Sequence, residues 1–350
     1  MNSKFSTLAD FGWTTFFSSQ LNVSELDSQI PAKVAEVQRG NIRVVGPSLD
    51  QFIPSFYAAK GDDEARAIVG DWLLIDDTTF QPKRLLTRKS LLKRLAPGKG
   101  RKVQLIAANI DTIFIVSSCN QDFSIARMER YLALAHDAGV HPVIVLTKTD
   151  LTDTPQDFQK DALALAPNLD VVSLNAKSSN AVEQLLPWCT KGQTAAFLGS
   201  SGVGKSTLIN SLIGGKKIVT QGVREGDDKG RHTTTSREMH FLDSGGLLLD
   251  MPGMRELQLT DVQTGVEEVF ADITELALTC RFRDCKHETE PGCAISAALK
   301  AGELEENRLQ RWKKLRGEDA VNTANLARRH AREKHTGKTT KRGKPEIHDE

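Results

Sequence analysis

The sequence lacks the features that membrane and secreted proteins need. No stretch approaches the roughly eighteen consecutive apolar residues of a transmembrane helix. The start, Met1-Asn-Ser-Lys-Phe-Ser-Thr, has no basic-then-apolar signal pattern. Cysteine is scarce as well, with five in 350 residues, which fits a compartment where thiols stay reduced. We therefore predict a cytoplasmic protein with no membrane partner.

The chain also lacks an excess of either charge. Its 46 lysines and arginines nearly balance 45 aspartates and glutamates, so the overall charge indicates no class of partner. The distribution is uneven, because residues 83–102 hold nine basic residues and no acid, and residues 308–344 are again dominated by lysine and arginine. Either segment alone could be a solvated face. Two of them together favour a polyanionic partner such as RNA.

A phosphate-binding loop is indicated between a strand-like run, residues 194–198, and a helix-like run, residues 206–213. The loop fits the pattern G-x-x-x-x-G-K-[ST], in which glycines let backbone N–H groups curl round a phosphate. Lys205 would reach the β- and γ-phosphates, and Ser206 would ligate Mg²⁺. A solvated turn is the alternative. The predicted loop comprises Gly199, Ser200, Ser201, Gly202, Val203, Gly204, Lys205, Ser206 and Thr207.

A guanine-reading motif, Thr147-Lys148-Thr149-Asp150, ends the apolar run of residues 143–146. The Asp150 carboxylate can accept from N1–H and the 2-amino group of guanine, and adenine offers neither in that arrangement, so Asp150 would select GTP. Such motifs usually start with asparagine. Thr147 keeps a hydroxyl but loses an amide, which predicts weaker tethering of the loop. A second base-contacting loop is indicated further along, with Ala176 and Lys177 beside the purine.

Two further segments carry the parts that would respond to the γ-phosphate. Asp250-Met-Pro-Gly253 follows a strand-like run, so Asp250 can hold Mg²⁺ through water and the Gly253 amide can sense the phosphate. Residues 230–236, Gly-Arg-His-Thr-Thr-Thr-Ser, fit a mobile switch. We predict that Thr234 reaches Mg²⁺, with Thr233 and Thr235 as alternatives.

The residue after the Asp-x-Pro-Gly motif is Met254, where many GTPases carry a water-positioning glutamine. A thioether cannot orient a water, so we expect slow intrinsic hydrolysis unless another group supplies that function. His232 is the nearest candidate for a catalytic role. The alternative for His232 is a solvated or partner-contacting side chain.

The order of these motifs is unusual. The base-reading motif precedes the phosphate loop, which precedes Asp250, whereas in an ordinary small GTPase the base-reading motif comes last. This order predicts a circularly permuted α/β P-loop GTPase domain. Its first strand is predicted at residues 110–116 and its first helix at residues 124–138.

A metal centre is indicated near the end of the chain. The spacing C-x₄-C-x-H-x₅-C places Cys280, Cys285, His287 and Cys293 within fourteen residues. Four soft or borderline donors form a complete tetrahedral set, which predicts one structural zinc ion. The alternative is a group of buried thiols beside a surface histidine. Cys119 and Cys189 end apolar stretches and are predicted to be buried.

The permuted order, the segment Gly-Arg-His-Thr-Thr-Thr and the Cys/His segment together resemble the RsgA (YjeQ/YloQ) family of GTPases that depend on the small ribosomal subunit. The resemblance covers about residues 30–316. It implies a GTP hydrolase that binds the small (30S) subunit and its rRNA, acts in late maturation and is stimulated by the subunit, with hydrolysis timing release. It also implies magnesium with GTP and structural zinc. We expect a monomer.

The predicted fold is multidomain, with an extension that is either disordered or packed on a partner, a β-barrel that the resemblance identifies as an OB-fold, the GTPase domain, a mainly helical zinc-binding domain and a basic disordered tail. These parts are assigned to residues 1–29, 30–100, 101–270, 271–333 and 334–350. Two other functions stay open. One is an RNA-binding zinc protein that senses GTP without significant turnover, and the other is a P-loop kinase or GTPase with a non-ribosomal partner.

Overall fold

The computed structural model describes residues 5–59, 63–95, 103–214, 237–251 and 261–341, with side chains of the last segment described up to residue 328. The chain divides into two compact units. The first consists of Met1–Lys93 and Leu105–Leu257, and the second of Arg94–Gln104 and Gln258–Glu350. Among the described helices, none is both long and apolar enough to cross a membrane.

The first unit contains a five-stranded antiparallel sheet formed by β1 Gln29–Val37, β2 Asn41–Gly46, β3 Leu49–Pro54, β4 Trp72–Asp76 and β5 Pro82–Leu85. The strand order is β3-β2-β1-β4-β5. β-Branched and leucine side chains, among them Val34, Val44 and Leu73, form its apolar core. The sheet is consistent with the predicted barrel, while the OB-fold remains a prediction. A two-stranded ribbon of β6 Leu91–Leu95 and β7 Val103–Ala108 follows.

Residues 5–28 pack on the first unit as a 3₁₀ turn, Leu8–Phe11, and two short helices, α1 Thr15–Ser18 and α2 Val23–Leu26. The rings of Phe5 and Phe11 lie 4.8 and 5.8 Å, centroid to centroid, from that of Phe241. Burial of such aromatic rings stabilises the segment strongly. The sequence left open whether residues 1–29 are disordered. From Phe5 onward the segment is ordered against its own chain.

A buried lysine joins this segment to both sheets of the first unit. The Lys33 ammonium, on β1, donates to the Phe11 carbonyl oxygen at 2.9 Å and to the Thr194 hydroxyl at 3.3 Å. Burial lowers the pKa of Lys33 to about 8, although the charges of Asp111 and Asp71 act in the opposite direction. The extension, the antiparallel sheet and the second sheet therefore meet at one side chain.

The second sheet of the first unit contains β8 Thr112–Ser118, β9 His141–Thr147, β10 Asp170–Ser173, β11 Thr194–Gly199, β12 Met239–Phe241 and β13 Leu247–Leu249. Its helices are α3 Ile125–Asp137, α4 Pro155–Leu163, α5 Ala181–Leu185 and α6 Lys205–Ile213. The predicted first helix is confirmed, and the Ser124 side chain accepts from the Arg127 N–H at its start.

The strand order of this sheet is β10-β9-β8-β11-β13-β12, and all neighbours are parallel except β12 with β13. Its inner strands, β8, β9, β11 and β13, are mainly apolar and buried because both faces of a parallel sheet are covered. β11 is flanked by β8, from earlier in the chain, and by β13, from later. The carboxyl ends of β9, β8, β11 and β13 consequently lie along one edge.

The second unit is mainly helical, with α7 Gln263–Val269, α8 Ala271–Leu278, α9 Ala294–Ala301 and α10 Glu306–Lys341. Its core is small and includes Phe270, Ile273, Ile295 and Trp312. α10 continues to Lys341, and the assignment of residues 334–350 to a disordered tail stays a prediction. The predicted boundaries at residues 100 and 270 stay predictions.

Candidate nucleotide site and metal centre

The predicted phosphate loop connects β11 to the start of α6. Gly199, Gly202 and Gly204 have φ values of 150°, 79° and 100°, a region that side chains disfavour. A Cβ at Gly199 would lie 2.3 Å from the Val116 carbonyl oxygen of β8. The loop can follow this path only with glycine at that position. The N–H groups at the start of α6 remain available for an anion.

Lys205 holds its own loop in this structure. Its ammonium donates to the carbonyl oxygen of Gly199 at 2.7 Å and also to that of Ser200. Both acceptors lie within the phosphate loop, so the ammonium is placed at the loop before any nucleotide arrives. A phosphate oxygen is a stronger, charged acceptor than a carbonyl. When a nucleotide binds, the Lys205 ammonium would therefore exchange these carbonyl oxygens for phosphate oxygens, and no distant side chain would have to move in.

Thr147, the departure from the usual asparagine, ties the base loop to the phosphate loop. Its hydroxyl oxygen lies 2.5 Å from the Val203 carbonyl oxygen and 3.3 Å from that of Ser117. The side chain is fully buried, and a Cβ at Gly204 would lie 3.6 Å from its hydroxyl. The Thr147 hydroxyl therefore supplies a tether between the two loops in this structure. A hydroxyl can donate to a carbonyl as an amide can, over a shorter reach.

The remaining base-loop residues follow at the same sheet edge. Lys148 takes a left-handed conformation, φ 58°, and leads into a 3₁₀ turn, Thr149–Leu151, that carries the exposed Asp150. In the second base loop, the Lys177 N–H donates to the Asn175 side chain at 2.9 Å. The Ala176 methyl lies 3.6 Å from where a Cβ of Gly204 would be. The two base loops and the phosphate loop therefore meet around Gly204.

Asp250 lies directly after β13 and is half-buried. Desolvation raises the pKa of its carboxyl group, and the charges of His240 and Lys205 oppose that shift. A carboxylate at this strand end is a ligand of the kind that Mg²⁺ prefers. His240, on β12, was not singled out from the sequence. The other predicted residues of this region, Thr234, His232 and Gly253, lie outside the described residues, as does Met254.

A second residue that the sequence did not reveal is Tyr131 of α3. Its side chain is hydrogen-bonded to that of Ser200 in the phosphate loop, and burial raises the pKa of its phenol. The sequence pattern showed α3 as a core helix, because Met128 and Leu132 recur at helical spacing. A tyrosine among core residues carries no separate signal. Ser200, predicted to contact the nucleotide, thus has a hydrogen-bond partner on α3.

The predicted metal ligands converge in the second unit. One ligand atom from each of Cys280, Cys285, His287 and Cys293 lies within 4.8 Å of the others. The Cys280 sulfur is 4.0 Å from that of Cys293, and His287 Nδ1 is 3.6 and 3.7 Å from these two sulfurs. Tetrahedral zinc with ordinary bond lengths requires about 3.8 Å between sulfurs and about 3.6 Å between sulfur and nitrogen. The donor set therefore fits zinc through Nδ1.

The surrounding loop supports this geometry. The Glu290 carboxylate accepts from the backbone N–H groups of Lys286, Glu288 and Thr289 at 2.8, 2.9 and 3.1 Å. The Lys313 ammonium donates to the His287 carbonyl oxygen at 3.0 Å. Burial and nearby positive charges lower the pKa of His287, which favours the neutral form that binds metals.

Comparison with known sequences agrees with this site. Residues 85–260 match the family model described as RsgA GTPase. A protein of Mesorhizobium japonicum named small ribosomal subunit biogenesis GTPase RsgA is 49% identical, over 91% of this chain and 91% of its own length. A protein of Vibrio parahaemolyticus named small ribosomal subunit biogenesis GTPase RsgA 2 is 45% identical, over 95% of this chain and 92% of its own.

Solved structures show the same fold. YjeQ from Thermotoga maritima superposes with a TM-score of 0.61 at 25% identity, covering 82% of this chain and 97% of its own. YloQ, described as a circularly permuted GTPase, gives a TM-score of 0.56 at 24% identity, covering 84% and 96%. The predicted permutation is thereby confirmed. With its phosphate and base loops on one sheet edge and these relatives along nearly its whole length, the chain belongs to the RsgA family of circularly permuted GTPases and is a GTP hydrolase.

Proposed function

We propose that this protein acts in the late maturation of the small ribosomal subunit, that the subunit stimulates its GTP hydrolysis and that hydrolysis times its release. The observation that carries the proposal is the convergence of Thr147, Ala176 and Gly204 at one sheet edge. These residues belong to three motifs that are separated in the chain and come together as one nucleotide site. The names of relatives that span this chain supply the ribosomal partner.

In this proposal, hydrolysis converts GTP and water into GDP and phosphate. Lys205 binds the β- and γ-phosphate oxygens, and magnesium would be held by the Ser206 hydroxyl, by Thr234 and, through water, by the Asp250 carboxylate. Bound magnesium supplies positive charge to the oxygens on which negative charge develops. The Gly253 amide contacts the γ-phosphate. The raised pKa of Asp250 supports its part, since a cation would stabilise the ionised carboxylate.

Guanine selection is assigned to Asp150, with Lys148, Thr149, Ala176 and Lys177 forming the walls of the base site. The exposed position of Asp150, beyond a turn that starts at a left-handed residue, supports this role because its carboxylate can face an incoming base. His232 is proposed to place the attacking water, since Met254 cannot. Thr233 and Thr235, the neighbours of Thr234 in the chain, are the alternatives to it as the threonine that reaches magnesium.

We assign the metal cluster and the basic segments to the binding of the ribosomal partner. One zinc ion bound by the four ligands would stabilise the second unit as a folded surface. The five-stranded sheet, as an OB-fold barrel, would contact rRNA together with the second unit. Residues 83–102, with nine basic residues and no acid, support this assignment through phosphate neutralisation. We also propose that the protein is cytoplasmic and monomeric.

GTP turnover with and without purified small subunits tests the proposal. We expect slow turnover alone and strong stimulation by the subunit, with Lys205→Ala as the inactive control. Subunit binding should be tighter with a non-hydrolysable GTP analogue than with GDP, and it should weaken steeply with salt. Absence of turnover in both conditions would favour the GTP-sensing zinc protein. Turnover without any response to the subunit would favour a non-ribosomal partner.

A further inference from the structure

A groove formed entirely by the second unit takes no part in the nucleotide site. It has a volume of about 670 Å³, within the roughly 300–1,000 Å³ of ligand pockets. Its walls are mainly apolar and include Val266, Leu278, Phe282 and Trp312. Leu278 is 83% exposed and Phe282 is 42% exposed. Two large apolar side chains left open beside a groove indicate a binding surface.

The aromatic rings of this groove carry arginines on their faces. The Arg281 guanidinium carbon lies 5.5 Å from the centroid of the Phe282 ring. The Arg316 guanidinium carbon lies 5.0 Å from the centroid of the Trp312 ring. An exposed ring beside guanidinium groups suits a nucleobase, which stacks on the ring while the arginines reach its phosphates.

The charge of α10, which forms one wall of the groove, favours a negatively charged ligand. From Arg308 to Arg328, α10 has six lysines and arginines and two acidic residues. Two acids and two arginines line the groove: Glu267 and Asp319 accept from uncharged donors, the Gln263 side chain at 2.7 Å and the Val262 N–H at 3.1 Å, and the arginines are Arg283 and Arg316. The groove lining is therefore balanced in charge, and the positive excess lies along α10, where it complements a nucleic-acid backbone.

Phe282 is held in place before any ligand binds. It lies between two of the cluster residues, Cys280 and Cys285, and the Cys285 N–H donates to its carbonyl oxygen at 3.3 Å. The Arg281 N–H donates to the Gly292 carbonyl oxygen at 3.1 Å. A ring whose backbone is fixed on both sides loses little conformational freedom when a base stacks on it.

We propose that this groove binds an unpaired nucleotide of single-stranded RNA, with the base stacked on Phe282 and its phosphates near Arg281, Arg283 and Arg316. The inference rests on the proposed function in one respect, namely that the RNA met in the cell is rRNA. Recognition by stacking requires a base that is free of a partner, so duplex RNA is excluded from the groove.

The test uses the full chain purified with its metal and a fluorescein-labelled single-stranded RNA of about ten nucleotides, a length in the range of known single-strand sites, with a duplex of the same sequence as reference. Phe282→Leu keeps an apolar side chain and removes the ring, and Phe282→Tyr keeps the ring. Val321→Ala is the matched control, because Val321 is an exposed apolar residue of α10 that does not line the groove. Fluorescence anisotropy gives the affinities.

We expect Phe282→Leu to weaken single-strand binding about tenfold, with Phe282→Tyr, Val321→Ala and the duplex affinities unchanged. Zinc content and helix content should be the same in all variants, because Phe282 is exposed. Unchanged single-strand affinity in Phe282→Leu would overturn the proposal. Loss of binding in Phe282→Asp but not in Phe282→Leu would do so as well, since it would indicate docking of an apolar partner such as a protein helix.

Subunit-stimulated GTP turnover is measured on the same preparations. Stimulation of the wild-type protein without ring-dependent RNA binding would overturn the groove proposal and leave the proposed function standing. Absence of stimulation together with ring-dependent RNA binding would overturn the proposed function and leave the groove proposal standing.

Discussion

The phosphate loop and the Cys/His segment are both irregular loops that carry chemistry, but different forces give them their shape. The phosphate loop starts at a buried central strand, and Thr147 and Tyr131 contact it from two sides. The Cys/His segment has exposed residues on both sides of its ligands, and its carboxylate cap, Glu290, belongs to the segment itself. The surrounding sheet therefore shapes the first loop, whereas the four ligands, with a metal ion bound between them, would shape the second.

Metal removal should give the largest difference in response between the two loops. Chelation, or Cys285→Ser, removes a binding free energy on the order of 10 kcal/mol, which the small core of the second unit cannot replace. We expect the second unit to unfold and subunit binding to weaken, while GTP affinity survives. Circular dichroism, elemental analysis and nucleotide titration measure these effects.

Cys189→Ala is the control for this experiment, because Cys189 is buried in the first unit and belongs to no ligand set. It should retain stoichiometric zinc. Protein purified without chelator and found to contain no zinc would contradict the metal assignment.

Lys205→Ala and Ser206→Ala test the chemistry of the phosphate loop itself. We expect turnover to fall by about 10²–10³, because each removes a group that acts on charge developing in the transition state. Thermal unfolding should change little, since the partners of the Lys205 ammonium are carbonyl groups of its own loop. Turnover near the wild-type rate in both variants would show that the loop has no catalytic part.

Asp150→Asn tests the base site at the same sheet edge. Loss of a charged acceptor should lower GTP affinity by about 2–4 kcal/mol, and xanthosine triphosphate should gain affinity because its base matches the new amide. Asp153→Asn, an exposed aspartate outside the motif, is the matched control. Equal GTP affinity in the two variants would remove Asp150 from the site.

Thr147→Val tests whether the sheet shapes the phosphate loop through this hydroxyl. Loss of the hydrogen bond to Val203 should lower GTP and GDP affinity alike, by about 1–2 kcal/mol, without changing the preference for guanine. Thr147→Ser keeps the hydroxyl and should bind as the wild type does. Unchanged affinity in Thr147→Val would mean that the loop keeps its shape without this contact.

Much of the nucleotide site was predictable because its signals are local. A glycine-rich loop between an apolar strand and a helix predicts its own backbone path, and strand ends that carry Thr147 and Asp250 predict the edge at which they meet. The ordered extension was not predictable, because Phe5 and Phe11 pack on Phe241, more than 200 residues away in the chain. Residues without helical or strand periodicity give no sign of such a distant partner.

The sequence by itself determined the chemistry and the topology of this protein. Residue types at short spacings predict a phosphate loop, a guanine-reading carboxylate and four metal donors, and the order of the motifs specifies the permutation. The tertiary structure alone decided that the Thr147 hydroxyl reaches Val203, that Tyr131 contacts Ser200 and that Phe282 and Trp312 line the same groove. These are contacts between elements far apart in the chain, and their distances depend on packing that no local pattern encodes.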